Sequence, residues 1–261
     1  MLDFKYYLEE KMMAGQRGLD YELQIYNAIK QSSINYFTPG DKPAAGFSNQ
    51  GAGDIEGKLN KKAFNIEVKL SADDQMGGTS FRYDYNTKKF TAVNTIDPDT
   101  EIMLMGAAQE RVKALDAYIE AARKLDPVEH HKNISGVPIK VSKKGRDELK
   151  TKGLLKAINT KVITDASYIA KHYNKKGVFY IQIGGAGLFY MGRNIHRLPV
   201  PKLAGEIQVE VRLGYSGSKT SLPDGTEARS AGLRLIGRLK AKGKSPHSID
   251  SVEGIEKLFN L

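Results

Sequence analysis

The stretch that decides the fold is Gly51–Leu70, which reads Gly-Ala-Gly-Asp-Ile-Glu-Gly-Lys-Leu-Asn-Lys-Lys-Ala-Phe-Asn-Ile-Glu-Val-Lys-Leu. Asp54-Ile55 and Phe64–Leu70 suit strands, and Asn60-Lys61 between them suits a tight turn. Two strands joined by a two-residue turn form a β-hairpin. The stretch is therefore predicted to be a hairpin whose register follows from the position of its turn.

The predicted register brings two acidic side chains together. A turn centred between Asn60 and Lys61 places Asp54 directly opposite Glu67. Because successive side chains of a strand point to opposite faces, Lys69 lies on the same face as the two acids. The other face is apolar and consists of Ile55, Ile66 and Val68.

Two opposed carboxylates limit what this face can do. Directly opposed side chains have Cβ atoms roughly 5 Å apart, so Asp54 and Glu67 repel each other. Such a pair is tolerated when it is solvated, when one member is protonated, or when a cation lies between them. Mg²⁺ is the cation that would give this face a catalytic role, since it binds one or two carboxylates together with phosphate oxygens and water. Lys69 would then lie beside the bound water or the substrate phosphate. The alternative is a solvated polar face without chemistry.

The order Gly53-Asp54, short hairpin, Ile66-Glu67-Val68-Lys69 resembles the motif of the PD-(D/E)XK nuclease superfamily. Gly53 stands at a position that is often, but variably, proline in that family. The resemblance implies a restriction-endonuclease-like fold and a metal-dependent phosphodiesterase. It also implies that Asp54 and Glu67 are metal ligands and that Lys69 is the catalytic lysine.

A third acid, Glu22, lies inside the apolar stripe of a helix predicted over residues 19–31. A carboxylate on a core face is costly unless it has a partner. Glu22 therefore either extends outward at the rim of the core or points at the acidic face of the hairpin. In the resembling nucleases the helix before the hairpin often supplies such a glutamate, so the resemblance makes Glu22 a candidate catalytic residue.

Composition points to an anionic partner. The 261 residues carry a formal net charge of +10, and nucleic acid is the usual partner of such a chain. A membrane partner is not expected, because the sequence has no apolar run near 18 residues and no amphipathic anchor helix. The N-terminus is too acidic for a signal peptide. The absence of cysteine excludes disulfides and thiolate metal sites and suits the cytoplasm.

Two segments are the basic candidates for contact with DNA. Residues 139–161 are strongly basic, and residues 228–249 contain no acidic residue. The alternative for either segment is a solvated run of charge. Gln75, just after the catalytic strand, resembles polar residues used near the site in some relatives. The candidate DNA contacts are Gln75, Lys140, Lys143, Lys144, Arg146, Arg229, Arg234, Arg238 and Lys240.

The order of elements predicts an α/β or α+β fold with a central mixed β-sheet flanked by helices and a strand-rich C-terminal half. Helices are expected over 3–13 and 19–31, separated at Gly15 and Gly18, and over 99–125 and 160–173. Residues 1–127 are predicted to form the nuclease core. Residues 128–261 either complete the same domain or bind DNA.

The sequence is thus interpreted as a Mg²⁺-dependent DNA endonuclease of restriction type, with Mn²⁺ as a substitute metal. One alternative is a structure-specific nuclease that acts on junctions or flaps. Another is a non-catalytic nucleic-acid-binding protein that keeps the fold, and RNA as the substrate also stays open. A homodimer is suggested by analogy, because cutting both strands of a duplex suits a two-fold protein.

Overall fold

The computed structural model describes residues 2–40, 53–92, 106, 108–124, 134–135, 143–158, 161–165, 167–221 and 227–259. Within these ranges the chain forms a mixed α/β fold, as the sequence predicts. The helices are α1 (Leu2–Gln31), α2 (Val112–Arg123), α3 (Lys143–Thr151), α4 (Leu154–Ile158), α5 (Ser167–Lys175) and α6 (Val252–Leu258). The strands are β1 (Phe37–Pro39), β2 (Gly57–Leu59), β3 (Lys62–Ala63), β4 (Asn65–Lys69), β5 (Gln75–Asp84), β6 (Lys89–Ala92), β7 (Ile134–Ser135), β8 (Lys161–Asp165), β9 (Val178–Ile183), β10 (Gly187–Tyr190), β11 (Ala204–Ser221) and β12 (Glu227–Lys242).

The chain divides into two compact units, and each is built from separated segments. The first unit comprises Met1–Asp74, Asp165–Glu206 and Leu239–Leu261, and the second comprises Gln75–Thr164 and Ile207–Arg238. Each unit therefore combines segments from both sides of residue 127. The functional division between residues 1–127 and 128–261 stays a prediction.

The first unit contains a mixed three-stranded sheet in the order β10-β9-β4. Strand β4 runs parallel to β9, and β9 runs antiparallel to β10. Strands β1, β2 and β3 form a small antiparallel sheet. The buried core of this unit combines side chains from α1, the hairpin, β4, β9 and α6, among them Ile25, Ile55, Ile66, Tyr180 and Ile255.

The second unit contains a larger sheet in the order β6-β5-β12-β11-β8, with β7 paired in parallel to β5. The helix expected over 99–125 is only partly confirmed, because residues 110–111 form a turn and α2 begins at Val112. Within α2 the predicted core residues Leu115, Tyr118, Ile119 and Ala122 are buried, while residues 99–105 lie outside the described residues. Among the described residues the strands form three sheets, and the one that carries β4 is mixed, as the sequence predicts.

The hairpin has the predicted register. Leu59 pairs with Lys62 across the turn, and Ile55 forms a bridge with Ile66. Both turn residues have positive φ, 52° at Asn60 and 66° at Lys61, as a two-residue turn between twisted strands requires.

Two predictions about helices are wrong. The helices expected over 3–13 and 19–31 are one continuous helix, α1, which runs through Gly15 and Gly18. A glycine inside a helix costs only about 1 kcal/mol, and packing of the helix's later turns, for example through Ile25 and Ile29, outweighs that cost. In the range 160–173, residues Lys161–Asp165 form strand β8 and helix α5 begins only at Ser167. The first of these segments is rich in β-branched residues, which suit a strand.

Candidate active site

The site is built where Asp54 meets strand β4. The backbone N–H groups of Asp54 and Ile55 both donate to the carbonyl of Ile66, at 3.1 and 3.0 Å. The N–H of Val68 in turn donates to Oδ2 of Asp54 at 2.8 Å. The Asp54 carboxylate is therefore held against β4 by the backbone of the strand that carries Glu67 and Lys69.

Lys69 lies between the two acids. Its Nζ donates to Oε1 of Glu67 at 2.5 Å and lies 3.9 Å from Oδ2 of Asp54. The exposed fraction of the side chain is 14% for Lys69, 7% for Glu67 and 28% for Asp54. The structure thus brings together, in a mostly buried cluster, the three side chains that the predicted hairpin register places on one face.

Burial and mutual charge perturb these groups. Burial raises the pKa of Asp54 to about 6, and the negative charge of Glu67 adds to the rise, while the Lys69 charge and the Val68 N–H oppose it. Burial alone would lower the pKa of Lys69, but the charges of Glu67 and Asp54 outweigh it, so the pKa is raised. Lys69 is therefore an ammonium at neutral pH.

The end of β4 is fixed by a close approach of β9. The N–H of Gly184 donates to the carbonyl of Lys69 at 2.8 Å. A Cβ at Gly184 would overlap the carbonyl of Leu70, so this position accepts only glycine without a backbone shift. The close approach holds the backbone of Lys69 in place.

Glu22 on α1 belongs to the same electrostatic cluster. Its side chain is half-buried. Burial raises the pKa of Glu22 to about 7, and the charge of Asp54 raises it further, with a smaller contribution from Glu67 and an opposing one from Lys69. Glu22 therefore feels the charges of Asp54, Glu67 and Lys69, and its role as a catalytic residue stays a prediction.

Sequence reasoning missed one member of the cluster, Tyr173 on α5. Its hydroxyl donates to Oε1 of Glu67 at 2.7 Å, and its side chain is buried, with 9% of the residue exposed. Burial, then the charge of Glu67, raise the pKa of Tyr173 well above its ordinary value. No local pattern links a tyrosine on this helix to an acid on β4, so the sequence contained no signal for the contact.

Of the candidate DNA contacts, three have described side chains. Arg234 is exposed and Arg238 is half-buried, both on β12. Lys240 forms an ion pair with Asp73. Gln75, Lys143, Lys144, Arg146 and Arg229 lie in β5, α3 or β12 with side chains outside the described set, and Lys140 lies outside the described residues altogether.

The donor set fits a hard divalent cation. Asp54 and Glu67 both approach one ammonium group, so the site already accommodates a positive charge between two carboxylates. Their donors are oxygens alone, which suits Mg²⁺. Across the described part of the chain, no group of three or more His, Cys, Asp or Glu side chains is arranged to hold a metal ion. A metal here would therefore take its remaining ligands from water and substrate.

Comparison with solved structures finds a distant likeness. No protein-family model matches the chain, and no curated protein matches it. The chain is similar to the structure of HhaI endonuclease in complex with DNA, at 13% identity and a TM-score of 0.46, over 93% of this chain and 98% of that one. No helix among the described residues is long and apolar enough to span a membrane.

Proposed function

We propose that this protein is a Mg²⁺-dependent DNA endonuclease of the PD-(D/E)XK type that hydrolyses phosphodiester bonds. The observation that carries the proposal is the convergence of Asp54, Glu67 and Lys69 at the end of β4, with Nζ 2.5 Å from Glu67 and 3.9 Å from Asp54. Two carboxylates and a lysine held on one buried face match the chemistry of a metal-dependent phosphodiesterase.

Asp54 and Glu67 are the residues that would hold the metal. When bound, a divalent cation supplies an activated water and offsets negative charge on the phosphate. The Val68 N–H keeps Asp54 oriented toward the site. Glu22 on α1 is a candidate catalytic residue outside this pair, coupled to it through charge.

In this proposal Lys69 acts in its protonated form, as an ammonium group. Its pKa is raised, mainly because Glu67 and Asp54 outweigh the effect of burial, so Nζ carries three N–H donors at neutral pH. From its position between the acids it can orient the attacking water or donate to a phosphate oxygen as negative charge develops there. These roles are proposed instead of proton abstraction, because the raised pKa keeps Lys69 protonated.

DNA as the substrate is supported by the charge of the chain. A net charge of +10 favours binding to the phosphate backbone. Restriction-type cutting by a homodimer in the cytoplasm is the form that we propose. A structure-specific nuclease for junctions or flaps is the second candidate form, and the pattern of products separates the two.

The test is cleavage of supercoiled plasmid with Mg²⁺ by wild type and by Asp54→Ala, Glu67→Ala and Lys69→Ala. Each variant is checked for folding and for DNA binding. We expect each to bind DNA and to cut at least ~100-fold more slowly, because several kcal/mol of charge stabilisation is lost. Glu56→Ala, which removes an exposed carboxylate from the same stretch, should cut like wild type.

Each result assigns the function differently. Discrete fragments indicate site-specific cutting, and strong action on branched DNA with little on linear duplex indicates structure-specific cutting. If wild type binds DNA but cuts neither plasmid nor branched DNA with Mg²⁺ or Mn²⁺, the nuclease proposal fails. A non-catalytic nucleic-acid-binding protein then becomes the leading candidate.

A further inference from the structure

One oxygen of Glu67 accepts two hydrogen bonds from different elements. Lys69 Nζ donates to Oε1 at 2.5 Å from within β4, and the Tyr173 hydroxyl donates to the same oxygen at 2.7 Å from α5. Two donors on one oxygen fix the rotation of the carboxylate about its last C–C bond. Tyr173 adds to this a donor that does not depend on Lys69, whose Nζ also lies 3.9 Å from Asp54.

The tyrosine is itself held firmly. It is buried in the first unit, His172 contacts its ring at a centroid distance of 5.1 Å, and the ammonium of Lys176 lies 5.8 Å from the ring centre. A buried hydroxyl without an acceptor destabilises the folded state, because it has lost its hydrogen bonds to water. The contact with Glu67 thus satisfies the tyrosine and orients the acid.

We infer that Tyr173 is a positioning residue that orients Glu67 for binding a divalent cation. The inference rests on the proposed function for its role in cleavage, but its effect on metal binding can be measured without any cleavage. Outer hydrogen-bond partners of metal ligands typically contribute 10–100-fold to metal affinity or activity. A tyrosine is well suited to this position, because its hydroxyl donates while adding no charge beside the acids.

Tyr173→Phe removes only the hydroxyl. The matched control is Tyr180→Phe in the same unit, which removes a buried hydroxyl that donates to Asn194 at 2.7 Å and accepts from the His196 N–H at 2.9 Å. Tyr173→Phe loses one hydrogen bond, to Glu67, whereas Tyr180→Phe loses two, neither of them to Glu67. A metal effect that came only from general destabilisation would therefore be at least as large in Tyr180→Phe.

Two measurements are made on both variants and on wild type. The first is the melting temperature as a function of Mn²⁺ or Mg²⁺ concentration, which reports metal binding directly. The second is the plasmid cleavage rate over the same metal range. For Tyr173→Phe we expect the metal concentration that gives half of the full effect to rise about 10–100-fold, both for the melting temperature and for the cleavage rate. At saturating metal its cleavage rate should approach that of wild type. Tyr180→Phe should melt lower without metal and keep the wild-type metal requirement.

The outcomes separate this inference from the nuclease proposal. Equal metal requirements for the two variants would overturn the positioning role while leaving cleavage by wild type intact. If wild type cuts nothing, yet Mn²⁺ stabilises it and does so more weakly only in Tyr173→Phe, the positioning role holds and the nuclease proposal fails. If neither metal stabilises wild type and neither supports cleavage, both are overturned.

Discussion

At the scale of single residues, the site is a cluster of acidic side chains around one ammonium group. Asp54 and Glu67 both lie within ion-pair distance of the Lys69 ammonium, and their charges also act on Glu22. The excess of acidic groups appears in the raised pKa values, about 6 for Asp54 and about 7 for Glu22. A site with excess negative charge is one in which a bound cation is stabilising.

Glu22 should make the metal-free protein less stable as the pH rises. Its pKa is raised from 4.5 to about 7 by burial and then by Asp54, so the folded state binds a proton that the unfolded state has already released. The stability from this proton is fully present below about pH 4.5 and is lost as the pH rises to about 7. Asp54 acts in the same direction.

Glu22→Gln should therefore flatten this decline. We expect its melting temperature in EDTA to fall less than that of wild type between pH 5 and pH 7.5, by a difference on the order of a few degrees. Asp20→Asn, which changes an exposed carboxylate on the same helix, should keep the wild-type slope. A slope for Glu22→Gln equal to that of wild type would show that Glu22 does not couple to the cluster.

At the scale of elements, the hairpin that carries Asp54 depends on its turn. Asn60 and Lys61 both adopt positive φ, and this conformation costs an ordinary L-residue roughly 1–2 kcal/mol. Lys61→Gly removes that cost from the folded state. Part of the gain is cancelled because glycine also increases the conformational entropy of the unfolded chain. We expect a net gain of about 0.5 kcal/mol in the free energy of unfolding, measured by urea denaturation.

The matched control for the turn is Lys62→Gly. Lys62 is also exposed, but it is the first residue of strand β3, where glycine weakens the strand. A loss of roughly 0.5–1 kcal/mol is expected there. The same substitution should thus have opposite signs at neighbouring positions, and a loss at both would contradict the role assigned to the turn.

The elements also show which parts of the fold can be predicted from sequence. The hairpin was predictable because its register depends only on a two-residue turn and on alternation within a few residues. The break expected at Gly15 and Gly18 was wrong because packing farther along α1 outweighs a local preference. The contact from Tyr173 could not be predicted, because it depends on how α5 lies against β4, which no local pattern encodes.

At the scale of the whole molecule, local sequence patterns could not predict the order of the strands in the sheets. Strand β4 pairs in parallel with β9, which lies more than a hundred residues farther along the chain, and this pairing is what fixes the end of β4. The class of the fold follows from the succession of helices and strands, whereas the interleaving of the two units depends on pairings between distant segments.

The net charge of the molecule leads to a last prediction about DNA binding. A chain with a charge of +10 should bind duplex DNA with an affinity that falls steeply with salt, since each neutralised phosphate releases counterions. Arg234 on β12 is exposed, and it should account for about one unit of the slope of log K against log salt if β12 contacts the backbone. Binding is measured in EDTA by fluorescence anisotropy, so that cleavage does not interfere.

The control for Arg234→Gln is Arg212→Gln, in the same unit. Arg212 is exposed too, but its guanidinium already lies 2.9 Å from the Glu210 carboxylate. Both substitutions remove one positive charge, so an effect of net charge alone would weaken binding equally. Because the Arg212 charge is offset locally, we expect only Arg234→Gln to reduce the slope by about one. Equal slopes for the two variants would instead assign binding to the overall field of the protein and exclude β12 as a specific contact with the backbone.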